Sequence, residues 1–209
     1  MRRGVRLAAP LFPAAAALGA SFGVLARTAH IDAVAAVVMS ATTFAGSSQV
    51  AAASVLAGGG GIAAAVAAAL LLNARYAPIG ISVAQSFRGS AARRFAQAQL
   101  VVDESWALSR GDLPVLLGVG ATLWVAWVGG TALGAVAGQA IGDTSAFGLD
   151  GAFAALFVAL LATQLGSRSR VRVALLGGAI AALLIPLAPP GVPIVAATAA
   201  VLAGRGRRR

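Results

Sequence analysis

Cysteine and lysine are absent from the 209-residue chain, histidine and tyrosine occur once each, and the acidic residues number six. Without cysteine there are no disulfides and no thiolate metal sites, and the redox compartment is left open. The lone His30 has no serine or carboxylate partner at a readable spacing, and no cluster of metal-ligand residues recurs along the chain. Hydrolytic and metal-dependent chemistry both need such groupings, so an enzyme is the least favoured class and no cofactor is expected. The chain also lacks any polar segment large enough to form a soluble domain. That absence sets aside nucleic acid as a partner despite a net charge of +10, because a nucleic-acid face needs a domain to carry it.

What the chain does have is apolar residues. Hydrophobic residues make up 59% and charged residues 11%, with a mean hydropathy of +0.89. No soluble core of this size needs so much apolar material, and several runs approach the ~20 residues a helix requires to cross a bilayer. The expected fold is all-α: a polytopic helical membrane protein, one integral membrane domain over 1–209, with the lipid bilayer as its surroundings. All sixteen basic residues are arginines, gathered at the two ends and in short interruptions between apolar runs. Orientation signals are distributed in this way.

The apolar runs fall at 7–26, 33–57, 62–87, 113–138, 151–166, 171–187 and 192–203. The first follows a basic head and is read as an uncleaved span rather than a signal peptide, because it is long and more spans follow. Pro10 and Pro13 near its start predict an irregular helix. His30, in the polar connection after it, reads as solvated.

The run 33–57 contains the segment Ser40-Ala41-Thr42-Thr43-Phe44-Ala45-Gly46-Ser47-Ser48-Gln49, where five of ten residues carry a hydroxyl and one an amide. In lipid those groups must face protein, a wet cavity or a ligand, since an unsatisfied polar group there is costly. As one helix the segment has two polar stripes; as two half-helices broken near Gly46, it exposes helix ends that can themselves hold a ligand. Alternatively, the small residues let helices approach and the hydroxyls bond back to their own helix. The spacing leaves these readings open.

The run 62–87 is interrupted by Asn73-Ala74-Arg75-Tyr76. An arginine at the centre of a span costs at least ~2.5 kcal/mol on insertion scales, so it needs a partner or a task. A buried, working Arg75 is favoured over a span that ends near Ala74 with the arginine reaching the interface. The stretch 95–109 is too short and polar for a simple span, and its Asp103-Glu104 pair is the chain's only adjacent carboxylate pair. Either it is a surface helix with solvated acids, or it enters the protein so that one carboxylate pairs with Arg75 or carries a proton. Gly130, Gly134 and Gly138 form a close-packing ridge, for a partner subunit or for another helix of the same chain.

Charge placement selects a topology. With the head inside and 33–57 dipping in and returning, every arginine cluster falls on the cytoplasmic side and Asp143 and Asp150 fall outside. This arrangement has about six full spans, broken or re-entrant helices at 33–57 and 95–109, and both termini in the cytoplasm. The protein is then a multi-pass protein of the cell membrane.

Four segments in order resemble the large subunit of the AzlC-type branched-chain amino-acid exporters. They are Gly19-Ala20-Ser21-Phe22-Gly23-Val24-Leu25-Ala26, Phe44-Ala45-Gly46-Ser47-Ser48-Gln49, Asn73-Ala74-Arg75-Tyr76, and Asp103-Glu104 with Trp106-Ala107-Leu108. The chain departs from the family pattern at Ser47, Val50 and Tyr76, where alanine, phenylalanine and histidine are common. The resemblance implies export of branched-chain amino acids, in some members methionine, driven by the proton motive force, with a small AzlD-type membrane subunit as partner. Residues suited to the substrate are Ser47, Ser48, Gln49, Asn73, Arg75 and Tyr76, and Asp103 or Glu104 suits proton coupling. The competing classes are a membrane scaffold, whose polar residues only join helices, and a passive channel.

Overall fold

The computed structural model describes residues 1–141, 158, 161, 165–188, 192–198 and 200. Among them there are helices and connections and no strand. Helix α1 (Arg2–Ala8) passes through a 3₁₀ turn (Ala9–Leu11) into α2 (Phe12–Thr28). Pro10 and Pro13 sit in the first positions of the turn and of α2, where a missing N–H costs no intrahelical bond. The expected irregularity is therefore a tight turn inside one long apolar unit. Arg2–Thr28 is 27 residues long, and an 18-residue window within it has a mean hydropathy of 1.6, enough to cross a membrane.

Helices α3 (Ala33–Thr43) and α4 (Gly46–Ala57) divide the run 33–57. Asp32 starts α3 as its cap, its Oδ1 accepting from the N–H groups of Val34 at 2.9 Å and Ala35 at 3.0 Å. Helix α5 (Ile62–Asn73) and α6 (Tyr76–Ala84) meet at a 48° bend. Helices α7 (Ala91–Ala98) and α8 (Asp103–Ser109) divide the stretch 95–109. Helix α9 (Leu113–Ile141) carries a second span-length segment, Leu113–Ala137, with a mean hydropathy of 1.7 over an 18-residue window. Helices α10 (Arg168–Leu184) and α11 (Val192–Thr198) follow.

Two helices among the described residues are thus long and apolar enough to cross a membrane, and three if the bent pair α5–α6 is one span. The predicted span 151–166 lies almost entirely outside the described residues, as does part of 192–203.

The most extensive helix–helix contact is between α2 and α9. Glycines set it. A Cβ on Gly130 would fall on the carbonyl oxygen of Ala16, and one on Gly134 on that of Ala20. From the other side, Gly19 and Gly23 lie against the carbonyl oxygens of Trp127 and Thr131. Backbones that touch in this way require small residues along both faces. Gly130 and Gly134 therefore pack within the chain, which selects the second of the two partners open to the ridge, another helix of the same chain. Residue numbers rise together along both helices, from Gly4 beside Val115 to Gly23 beside Ala135, so the two helices run parallel. The core between and around them holds Phe22, Val119, Leu123 and Trp127, with the Phe22 and Trp127 rings stacked at 6.2 Å.

Candidate functional site

The site begins at the break between α3 and α4. Phe44 takes a left-handed conformation, φ 43°, which ends α3 after Thr43. The carbonyls freed at that end are not left bare. Gln99 Nε2 donates to the carbonyl oxygens of Ala41 at 3.2 Å and Thr42 at 2.6 Å, and Trp124 Nε1 donates to Ala41 at 3.0 Å. A helix end inside a protein needs such substitutes for its missing intrahelical partners.

Behind the break lies a buried polar cluster. Gln49 Nε2 donates to Ser40 Oγ at 2.9 Å, and Gln49 Oε1 accepts from the N–H of Ala45 at 3.2 Å and from Trp127 Nε1 at 3.1 Å. Trp127 Nε1 also reaches Ser40 Oγ at 3.2 Å. Thr131 donates to the carbonyl of Trp127 at 2.9 Å, so the 2.8 Å contact between Ser40 and Thr131 has Ser40 as its donor. Ser40, Gln49 and Thr131 are fully buried. Ser48, equally buried, donates to the carbonyl of Ala45 at 2.9 Å. These bonds hold α3, α4 and α9 in one arrangement at the break.

In front of the break is a cavity of about 180 Å³. Its wall is mostly apolar, from Leu11, Leu18, Phe44, Leu123 and Trp127. The polar part comes from three separate breaks in the helices: Gly46 and Ser47 at the start of α4, Arg75 and Tyr76 at the bend, and Asp103 and Glu104 at the start of α8. Arg75 joins them. Its Nη2 donates to Ser47 Oγ at 2.9 Å and pairs with Asp103 Oδ2 at 3.1 Å, while its guanidinium lies 5.2 Å from the centre of the Tyr76 ring. A further bond, from Trp106 Nε1 to Ser82 Oγ at 3.0 Å, ties α8 to α6.

The structure thus brings Ser47, Arg75, Tyr76, Asp103 and Glu104 to one cavity, and makes Arg75 and Asp103 the pair that the sequence suggested. It places Ser48 and Gln49 behind the wall rather than in it. Asn73 ends α5 beside the bend; its Oδ1 is buried and has no hydrogen-bond partner among the described residues. The expectation of a buried Arg75 is corrected: its side chain is 41% exposed and that of Asp103 42%, because the helix stops at Asn73 and turns the arginine outward into the cavity mouth. Burial raises the Glu104 carboxyl above its ordinary value; a backbone hydrogen bond opposes this, and the neighbouring Asp103 adds to it.

The residues that the sequence reading left out of the site are Ser40, Gln99, Trp124, Trp127 and Thr131. Ser40 carried a signal as part of the hydroxyl-rich segment, and Gln99 as a residue that shares a helical face with Asp103; the other three carried none. Among the described residues no three His, Asp or Glu side chains converge as a metal site would require. Chemically, the cavity offers one cation, two hydroxyls and two carboxylates against an apolar wall. That set suits a small solute bearing a carboxylate, an ammonium and an apolar group.

A family model described as AzlC protein matches residues 10–141, more than half of the chain and the whole of this site. No curated protein and no solved structure matches the chain.

Proposed function

Because the chain belongs to the AzlC family, a family associated with branched-chain amino-acid transport, we propose that it is a secondary transporter exporting branched-chain amino acids, and methionine with them. The proton motive force drives export, and a small AzlD-type membrane subunit completes the transporter. The observation that carries this reading is Arg75, held between Ser47 and Asp103 at the mouth of an apolar cavity sized for a small metabolite.

In the proposed cycle the substrate carboxylate takes the place of Asp103 on Arg75, with Ser47 and the positive end of α4 beside it. The ammonium faces the carboxylates of Asp103 and Glu104, and the side chain packs on Leu18, Leu123 and Trp127. Tyr76 steadies the guanidinium from one face. Ser48 and Gln49 act by holding the α3–α4 break in position. Asp103 or Glu104 is the proton-coupled group.

The parallel packing of α2 and α9 is compatible with the topology, as it is with 33–57, 62–87 and 95–109 all crossing. If both cross in the same direction, the segment between them must cross an odd number of times. A returning 33–57 and a crossing 62–84 meet that condition, with the arginine clusters inside. About six spans and cytoplasmic termini follow from carrying the same charge rule to the end of the chain.

The test is efflux of preloaded leucine, isoleucine, valine and methionine from cells expressing the chain, with and without a small-subunit partner. Efflux that needs the partner and stops with an uncoupler is the expected result. No efflux of any of the four, with membrane insertion verified, overturns the proposal.

A further inference from the structure

A second cavity, separate from the transport site, opens at the end of the molecule where α1 and α9 both begin. It is a surface depression of about 480 Å³, and Arg3 and Arg110 line it together with Leu7, Leu108 and Asp112. Arg3 lies on α1, one turn from the depression's apolar wall at Leu7. Arg110 follows α8 in a left-handed conformation, φ 49°, beside Gly111 at φ 88°. A non-glycine residue in that region is uncommon, and here it is an arginine.

Neither Arg3 nor Arg110 has a carboxylate within pairing distance among the described residues, where the Arg75–Asp103 bridge is the one ion pair found. Asp112 lines the depression with them, its Oδ1 accepting from the N–H of Val115 at 3.3 Å to cap the start of α9, so the two arginines outnumber the one carboxylate there. Arg2 and Arg6 on α1 are exposed and add to the same positive field. Two arginines thus line one depression, with Arg2 and Arg6 on the same short helix as Arg3 and one carboxylate in the lining.

The position of this charge decides the ligand. Arg2–Thr28 and Leu113–Ala137 are the two span-length helices, they pack in parallel, and the depression sits where both begin. It therefore lies at the depth where a bilayer's hydrocarbon gives way to its headgroups. We propose that this depression binds the phosphate headgroup of an anionic phospholipid, with Arg3 and Arg110 on the phosphate oxygens and Leu7 and Leu108 against the first carbons of an acyl chain. Guanidinium groups suit this task because they offer several N–H donors to the phosphate oxygens. The lipid would join α1 to the α8–α9 turn from outside.

Native mass spectrometry of the full chain in detergent tests this, with phosphatidylglycerol, phosphatidylcholine and inorganic phosphate as separate probes. Phosphatidylglycerol is expected to bind preferentially, and Arg3→Gln/Arg110→Gln to weaken it roughly thirtyfold, five- to sixfold per arginine. Arg3→Lys/Arg110→Lys keeps the charge and is expected to keep most of the affinity, which separates lost charge from a misfolded chain. Arg88→Gln/Arg93→Gln, with the same charge removed elsewhere, should bind as the unaltered protein does. The proposal is overturned if phosphatidylglycerol binds no better than phosphatidylcholine, or if the Arg88/Arg93 variant loses as much. It is equally overturned if inorganic phosphate binds as tightly as the lipid, since the site is then one for a free anion.

Discussion

Two helix breaks meet at the cavity, and they are built in opposite ways. At the α3–α4 break the freed carbonyls are taken by Gln99 and Trp124, and the cluster of Ser40, Gln49, Trp127 and Thr131 behind it is fully bonded and buried. At the α5–α6 bend little is secured. Arg75 is nearly half exposed, its hold on the rest of the protein is two side-chain contacts and a ring, and the Asn73 oxygen beside it has no partner among the described residues. A low local density of buried contacts is where a structure opens first. The α3–α4 break is a fixed frame, and the α5–α6 bend is the part that can exchange partners. A binding site that must also release its solute needs one of each.

The difference is tested most severely at Trp127. Trp127→Ala removes a ring stacked on Phe22 and the indole donor that serves both Gln49 and Ser40. A loss of about 3–5 kcal/mol is expected, as for other buried aromatic truncations, read as a lowered midpoint of thermal unfolding in detergent. Gln49→Leu is next. It strands the N–H of Ala45 and leaves Trp127 with Ser40 alone, so about 1–3 kcal/mol is expected from the same measurement. If both variants unfold like the unaltered protein, the α3–α4 break is not a fixed frame.

Arg75→Ala should behave in the reverse manner. Its ion pair is exposed on both sides, so stability should change by only about 0–1 kcal/mol. Efflux should nevertheless fall at least about tenfold, because a charge-assisted bond to the solute carboxylate is lost. An Arg75→Ala protein that transports normally would remove the proposed anchor, and one that fails to fold would make the bend structural after all.

A pairing of Arg75 with one of the two adjacent acids was legible in the sequence as one of two alternatives, raised because both halves are anomalous: an arginine inside an apolar run, and adjacent acids in a stretch too polar to span. The broken form of 33–57 was one of two open readings, and what decides it is not local. Hydroxyls at Ser40, Ser47 and Ser48 look alike in sequence, yet Ser47 faces the cavity while Ser40 and Ser48 are sealed behind it. The residues that separate them, Trp127 and Thr131, lie about 80 to 90 positions further along the chain. The glycine ridge left its partner open for the same reason. Gly130 and Gly134 announce a close contact, but nothing in α9 names Ala16 and Ala20 as the other side of it. The first half of α9 therefore carries more of the site than its plain apolar sequence suggests.

The smallest expected effect lies at the movable side, at Glu104. Its carboxyl is held above the ordinary value of about 4.5 chiefly because burial disfavours the charge. A group whose folded value is raised binds its proton more tightly in the folded state. Its contribution to stability is complete below the unfolded value and is lost as pH rises through the folded one. The unaltered protein should therefore lose some stability as pH climbs above about 4.5, and Glu104→Gln, which carries no ionising group there, should not share that loss. The unfolding midpoints of the two proteins should lie closest at low pH and separate upward in favour of Glu104→Gln. Parallel curves across the range would mean that the Glu104 carboxyl is as well solvated as any surface acid.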